Sequence, residues 1–133
     1  MNGPAIAITG AGAVCAIGTS TVEIAHALAE GRSGIVPRRI GSFPELHVGA
    51  VALSNPEIAQ RLGLGADGPR SRTALLAMLA AREAVGEGTQ PDMAVISAST
   101  VGGMDLTEDL FDDWRKDRLE KARIAREPPV SAH

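Results

Sequence analysis

The residues with the most obvious chemical potential stand near the start of the chain. Gly10 and Gly12 follow directly on the small and β-branched run Ala5-Ile6-Ala7-Ile8-Thr9. A buried strand that leaves its sheet through glycines brings backbone close to a neighbour, and such turns often cradle phosphate. A dinucleotide site requires G-x-G-x-x-G with a helix opening at the glycines. Here Cys15 occupies the third glycine position. The next helix signal, a capping box of Ser20 and Glu23, comes about eight residues after Gly12. That is too far for a phosphate-binding turn, so the pair reads as a structural strand exit. Cys15 is the only thiol, set among Ala13, Val14, Ala16 and Ile17 with no histidine nearby in sequence, and reads as a packing residue. Arg38-Arg39 is a pattern that holds phosphate or carboxylate, but amid Pro37, Gly41 and Pro44 it reads as solvated loop charge. The spacing of His26, His47 and His133 makes neither a dyad nor a metal site, and no cofactor is expected.

The elements that position these residues follow from periodicity. Three strands are expected: Ala5 to Thr9, His47 to Leu53 and Met93 to Ser97. A first helix starts at Ser20, carries an apolar face of Val22, Ile24, Ala25, Leu28 and Ala29, and ends at Gly31. Asn55-Pro56-Glu57 opens a short helix to Leu62, broken by Gly63 and Gly65. From Ser71 to Val85 the chain has helical propensity and is apolar on nearly every face. Such a helix sits between two layers, and a chain of 133 residues has difficulty covering both its sides. Asp105 to about Arg126 reads as a charged helix with Leu106, Leu110 and Trp114 in one row and Phe111 beside it. Its acids lead and its bases follow, the order that the helix dipole favours.

Composition excludes several classes. Two Phe, one Trp and no Tyr leave little aromatic surface for stacking nucleobases, and a net charge of -3 disfavours a polyanion-binding face, so no nucleic-acid partner is expected. One cysteine precludes an internal disulfide framework and suits a reducing compartment. No apolar run reaches membrane-spanning length, and no Lys or Arg precedes Arg32 to begin a secretory signal. A soluble, cytoplasmic chain without a membrane partner is the expectation.

Three blocks, in order and at familiar spacing, resemble the N-terminal part of a β-ketoacyl-acyl-carrier-protein synthase, a condensing enzyme of fatty-acid and polyketide synthesis. The first runs from Ile8-Thr9-Gly10-Ala11-Gly12 through Gly18 to Glu30-Gly31-Arg32-Ser33-Gly34-Ile35. It is similar to the family's strand, T-G-x-G-x-V turn, helix and G-x-S-G-I. The second is the helix from Arg72 to Val85, which the family buries between the two sheets of a thiolase-type sandwich. The third, Val95 to Met104, is similar to the family's strand followed by paired glycines. The resemblance covers essentially the whole chain and about a third of a usual family member.

The resemblance implies a partial thiolase-like α/β domain over residues 1–133: three strands and a buried central helix in layers. It also places Thr100, Val101 and Met104 beside the acyl-chain pocket, with Val101 at the family's branched gate position; packing of a strand end accounts for these residues equally well. The family's nucleophilic cysteine, in an A-C-S-S/G turn, and its two histidines lie downstream, and none of those motifs occurs here, so no catalytic residue is assigned. Decarboxylative condensation needs a thiolate to carry the acyl chain and polar groups to stabilise enolate and oxyanion. The first expectation is therefore a ketosynthase-like subunit, non-catalytic alone, that shapes an acyl pocket as a chain-length factor does. Its partners would be a full-length ketosynthase or a complementary ketosynthase half, and acyl carrier protein through that partner. A second is the N-terminal portion of an active synthase, suggested by an end at His133 that resembles no domain boundary. A third, from another class, is a small nucleotide-binding α/β protein using Gly10 and Gly12.

Overall fold

A computed structural model of the chain describes residues 5–65, 70–86, 92–100 and 102–116. Over these residues the fold is mixed α/β, with four helices and a two-stranded sheet in the order α1 (Thr21–Ala29), β1 (Ile35–Arg38), β2 (Leu46–Gly49), α2 (Asn55–Leu62), α3 (Arg72–Val85) and α4 (Met104–Arg115).

The helices begin where their caps dictate. Ser54 accepts from the Glu57 amide while the Glu57 carboxylate takes the Ser54 amide at 2.7 Å, a complete capping box with Pro56 in the first turn. Gly63, at φ +69°, ends α2 in the left-handed conformation that glycine adopts without penalty. Ser54→Ala leaves amides of the first turn unpaired and is expected to cost about 1 kcal/mol, read from urea unfolding followed by far-UV circular dichroism. At α1, Ser20 caps the Glu23 amide, but the Glu23 carboxylate reaches one residue further back, to the Thr19 amide at 2.7 Å. Only half of the expected box therefore forms. The buried residue of α1 is Ala27, while Val22 and Leu28 of its expected apolar face are exposed.

The core lies between α2 and α3. Ile58, Leu75 and Leu79 form the buried cluster, with half-buried Val14, Leu53, Leu62, Leu64 and Leu76 around it. This corrects the expected burial of α3. One stripe, Leu75 and Leu79, packs on α2, and Ala80, Glu83 and Ala84 meet the glycine turn and stay half-buried. A third stripe of Ala74, Ala77, Met78, Ala81 and Val85 is exposed. The helix is apolar on most faces but covered on only some of them.

The strands also differ from expectation. Residues 5–9 and 93–97 form no strand, and their apolar side chains face solvent: Ile6 is 96%, Ile8 92%, Val95 83% and Ile96 98% exposed. A strand is stabilised by a neighbouring ladder and a covered face, and among the described residues neither segment has one. The first strand of the sheet instead lies in the segment expected to be a loop, and the second overlaps the start of the strand expected from His47. β1 and β2 pair antiparallel with Ile35 opposite Gly49 and Arg38 opposite Leu46. Both strands of this hairpin are edges, which is where a Pro37 without an N–H is tolerated. The second expected strand, from His47 to Leu53, thus holds only in its first part. Beyond Gly49 the backbone leaves the sheet, and Arg72 Nη2 donates to the Val51 carbonyl at 2.8 Å.

Helix α4 starts at Met104 and carries Leu106 and Leu110 half-buried, with Trp114 and Phe111 exposed and their ring centroids 5.9 Å apart. The expected continuation to Arg126 lies outside the described residues beyond Lys116. Among the described residues, no helix is long and apolar enough to cross a membrane.

Candidate functional site

The glycine turn packs closely on α3, although no strand precedes it among the described residues. A Cβ on Gly10 would lie 1.9 Å from the Ala84 carbonyl oxygen, and one on Gly12 would lie 1.9 Å from that of Ala80. Both contacts are to backbone, so only glycine fits. Beyond the turn, the α3 residue Glu83 holds the chain in two places. Its Oε2 accepts from the Ala13 amide at 3.0 Å, and its Oε1 accepts from both the amide and the hydroxyl of Thr21 at 2.7 Å. Two of the amides that a phosphate would use, Ala13 after this turn and Thr21 at the start of α1, are thus bound to a carboxylate.

Those hydrogen bonds hold the Glu83 carboxyl below its ordinary range, the Thr21 hydroxyl contributing most, then the amides of Thr21 and Ala13. Glu57 is lowered in the same way by the hydroxyl and amide of Ser54, and Glu23 by the amide and hydroxyl of Thr19. A carboxylate whose folded-state pKa is depressed contributes stability above its unfolded value, about 4.3, and loses it as the pH falls through the folded value. The thermal midpoint is therefore expected to hold between neutrality and about pH 5 and to fall below that. Melting curves from pH 7 to pH 3 test this, and Glu83→Gln should flatten the acid limb.

Between this turn and α1 lies a cleft of about 440 Å³, lined by Cys15, Ile17, Thr19, Glu23, Arg32 and Ala52 among others. Cys15 is pinned by reciprocal backbone hydrogen bonds with Gly18, at 2.9 and 3.3 Å. The polar groups beside it have partners of their own. Glu23 accepts from the Thr19 hydroxyl at 2.9 Å, Arg61 donates to the same hydroxyl oxygen at 3.3 Å, and Arg32 Nε lies 3.7 Å from Glu30. None of the residues lining the cleft is a histidine, so the thiol has no imidazole base among them, and the one carboxylate there, Glu23, is engaged with Thr19. His26 lies on α1 at 3.3 Å from Glu30, and His47 is exposed on β2; His133 lies outside the described residues. No group of three or more His, Cys, Asp or Glu among the described residues is arranged to hold a metal ion.

Of the residues expected at an acyl pocket, Thr100 and Met104 flank the turn at the opposite end of α3. Thr100 closes the exposed segment after residues 93–97, Val101 lies outside the described residues, and Met104 is the first residue of α4 and 51% exposed. The geometry fixes their anchorage. A Cβ on Gly102 would lie 2.8 Å from the Ser99 hydroxyl and 3.7 Å from the Thr73 side chain, so this turn rests on the first turn of α3. Asp105 accepts from the Arg72 amide at 2.6 Å, tying the starts of α3 and α4 together. Arg72 in turn donates to Asn55 Oδ1 at 2.9 Å, bonding the start of α2 to the same point.

Sequence reasoning missed both organising residues, Glu83 and Arg72. A signal existed for the first: Glu83 is the only acid in a 14-residue helix that is otherwise mostly apolar. A carboxylate retained there needs donors, and the nearest helix N-terminus supplies them. Comparison with models of known protein families, with curated proteins and with solved structures finds no match for this chain.

Proposed function

We propose that this chain is a ketosynthase-like unit that performs no condensation alone and joins complementary ketosynthase polypeptide to shape an acyl pocket. The completed assembly would act on acyl chains carried by acyl carrier protein. The sequence support is the ordered set of three blocks at familiar spacing. One structural observation carries the reading furthest. The two apolar segments at residues 5–9 and 93–97 leave Ile6, Ile8, Val95 and Ile96 almost fully exposed, and the stripe of α3 through Met78 and Val85 is uncovered. Apolar surface of this kind is buried in a stable assembly, and strand-type segments gain ladders when another strand is supplied. Thr100, Val101 and Met104 would then border the pocket at the end of α3.

Co-expression with a complete β-ketoacyl-ACP synthase, followed by gel filtration and amide hydrogen exchange, tests this. The expected result is a co-eluting complex in which the amides of residues 5–9 and 93–97 gain protection. A folded monomer that ignores the synthase, with those amides unchanged, overturns the pairing reading. The same exposed segments also suit the alternative in which the chain is the N-terminal portion of an active synthase. Supplying a synthase piece that carries the catalytic cysteine and both histidines separates the two. Condensation of malonyl and acyl carrier proteins, absent from either piece alone, would favour that alternative.

A further inference from the structure

The nine residues from Ala13 to Thr21 form a loop whose two ends meet on one side chain. Glu83 Oε2 holds the first residue of this loop and Glu83 Oε1 holds the last. Compact loops with adjoining ends are ordinarily packed by their own side chains. Here Val14 points into the core and Cys15 bridges to Gly18, while the polar closure is a single carboxylate from a different element. The loop's far side has other attachments: Ala16 packs closely on Gly34, where an added Cβ would lie 2.7 Å from the Ala16 backbone. The Arg61–Thr19 bond is 3.3 Å long, and Glu23 bonds Thr19 within the same stretch of chain.

We propose that Glu83 is a latch that closes the 13–21 loop onto α3, and that its release opens the Cys15 cleft and frees the start of α1 while the α2–α3 core stays folded. The packing is largely divided: Leu75 and Leu79 cluster with Ile58 of α2, whereas Glu83, Ala80 and Ala84 face the loop and the glycine turn, and Val14 is the loop residue that reaches the cluster. The latch is made of neutral donors. Among the described residues no lysine or arginine forms an ion pair with Glu83, and the neighbouring Arg82 turns away to donate to the Arg61 carbonyl. Because three donors share two carboxylate oxygens, a glutamine cannot replace the glutamate. Its one carbonyl oxygen serves either end of the loop, and its amide N–H₂ meets an N–H donor at the other.

The test is amide hydrogen exchange by NMR, with iodoacetamide labelling of Cys15 at one fixed pH, on Glu83→Ala, Glu83→Gln and Thr21→Val. In Glu83→Ala the amides of residues 13 and 21 should exchange about tenfold faster or more, and Cys15 should alkylate several-fold faster, with Leu79 protection retained. Glu83→Gln should release one end of the loop and keep the other. Thr21→Val removes one hydroxyl donor, so residue 21 should exchange faster by a smaller factor; this variant decides the matter if Glu83→Ala does not fold. Unchanged exchange at residues 13 and 21 with unchanged alkylation overturns the latch. So does a loss of protection at Leu79 by the same factor, which would make Glu83 part of one global unfolding unit.

Discussion

Ile58→Ala is expected to abolish cooperative unfolding of this chain, leaving a broad, shallow transition in far-UV circular dichroism. Ile58 is fully buried, and among the described residues it shares its buried cluster with Leu75 and Leu79. Truncating a buried isoleucine to alanine costs about 2–5 kcal/mol, from lost transfer energy and the cavity left behind. That is comparable with the whole stability of a small domain, about 5 kcal/mol at the lower end. Among the described residues the neighbours of the cluster are themselves only half-buried, which leaves little packed structure to collapse into the gap. Ile58→Val removes a single methyl and should cost about 0.5–1.5 kcal/mol, keeping a sharp transition at a lower urea midpoint. Equal melting curves for wild type and Ile58→Ala would show that the α2–α3 contact does not organise the fold.

The second large effect is expected at Gly12. Its backbone conformation is open to any residue, since Gly12 is not among the positive-φ glycines, so the constraint is space alone. The new Cβ would stand 1.9 Å from the Ala80 carbonyl oxygen and 2.9 Å from the Ala84 nitrogen. These atoms belong to the hydrogen-bonded ladder of α3 and cannot rotate away as a side chain would. Overpacking of a close contact typically costs about 1–3 kcal/mol, and a backbone obstacle places Gly12→Ala at the top of that range or above it. The expected outcome is a turn displaced from α3, a lower urea midpoint and faster exchange at the Ala13 amide. A compensating Ala80→Gly should restore nothing, because the obstacle is the carbonyl of residue 80 and not its methyl. Full rescue by that second change would mean that the turn approaches the side chain of residue 80 instead.

The glycine turn also shows how far residue types alone lead. Gly10 and Gly12 announced a close backbone approach, and the absent third glycine and late capping box argued against a phosphate cradle. The structure supplies the neighbour, α3, and the reason that the local amides are occupied, Glu83. The helices were legible because their signals are local. Ser54 and Glu57 carry their own start, Gly63 its own stop, and the Ser71 cap with an unbroken run to Val85 announces α3.

The strands were not legible in the same way. Ala5 to Thr9 and Met93 to Ser97 have the composition of buried strands, but β structure is completed by a partner that composition does not contain. Ile35–Arg38 carries a proline and two loop-like neighbours, yet it finds a partner in Leu46–Gly49 and becomes a strand. The sequence by itself determined the bounds of α1, α2 and α3 and the apolar breadth of α3, because each depends on residues close in the chain. Tertiary structure alone decided which stripe of α3 is covered, which segments pair, and that Glu83 gathers Ala13 and Thr21 across 70 and 62 residues of sequence. Contacts of that separation depend on where the chain closes on itself, and no local preference encodes them.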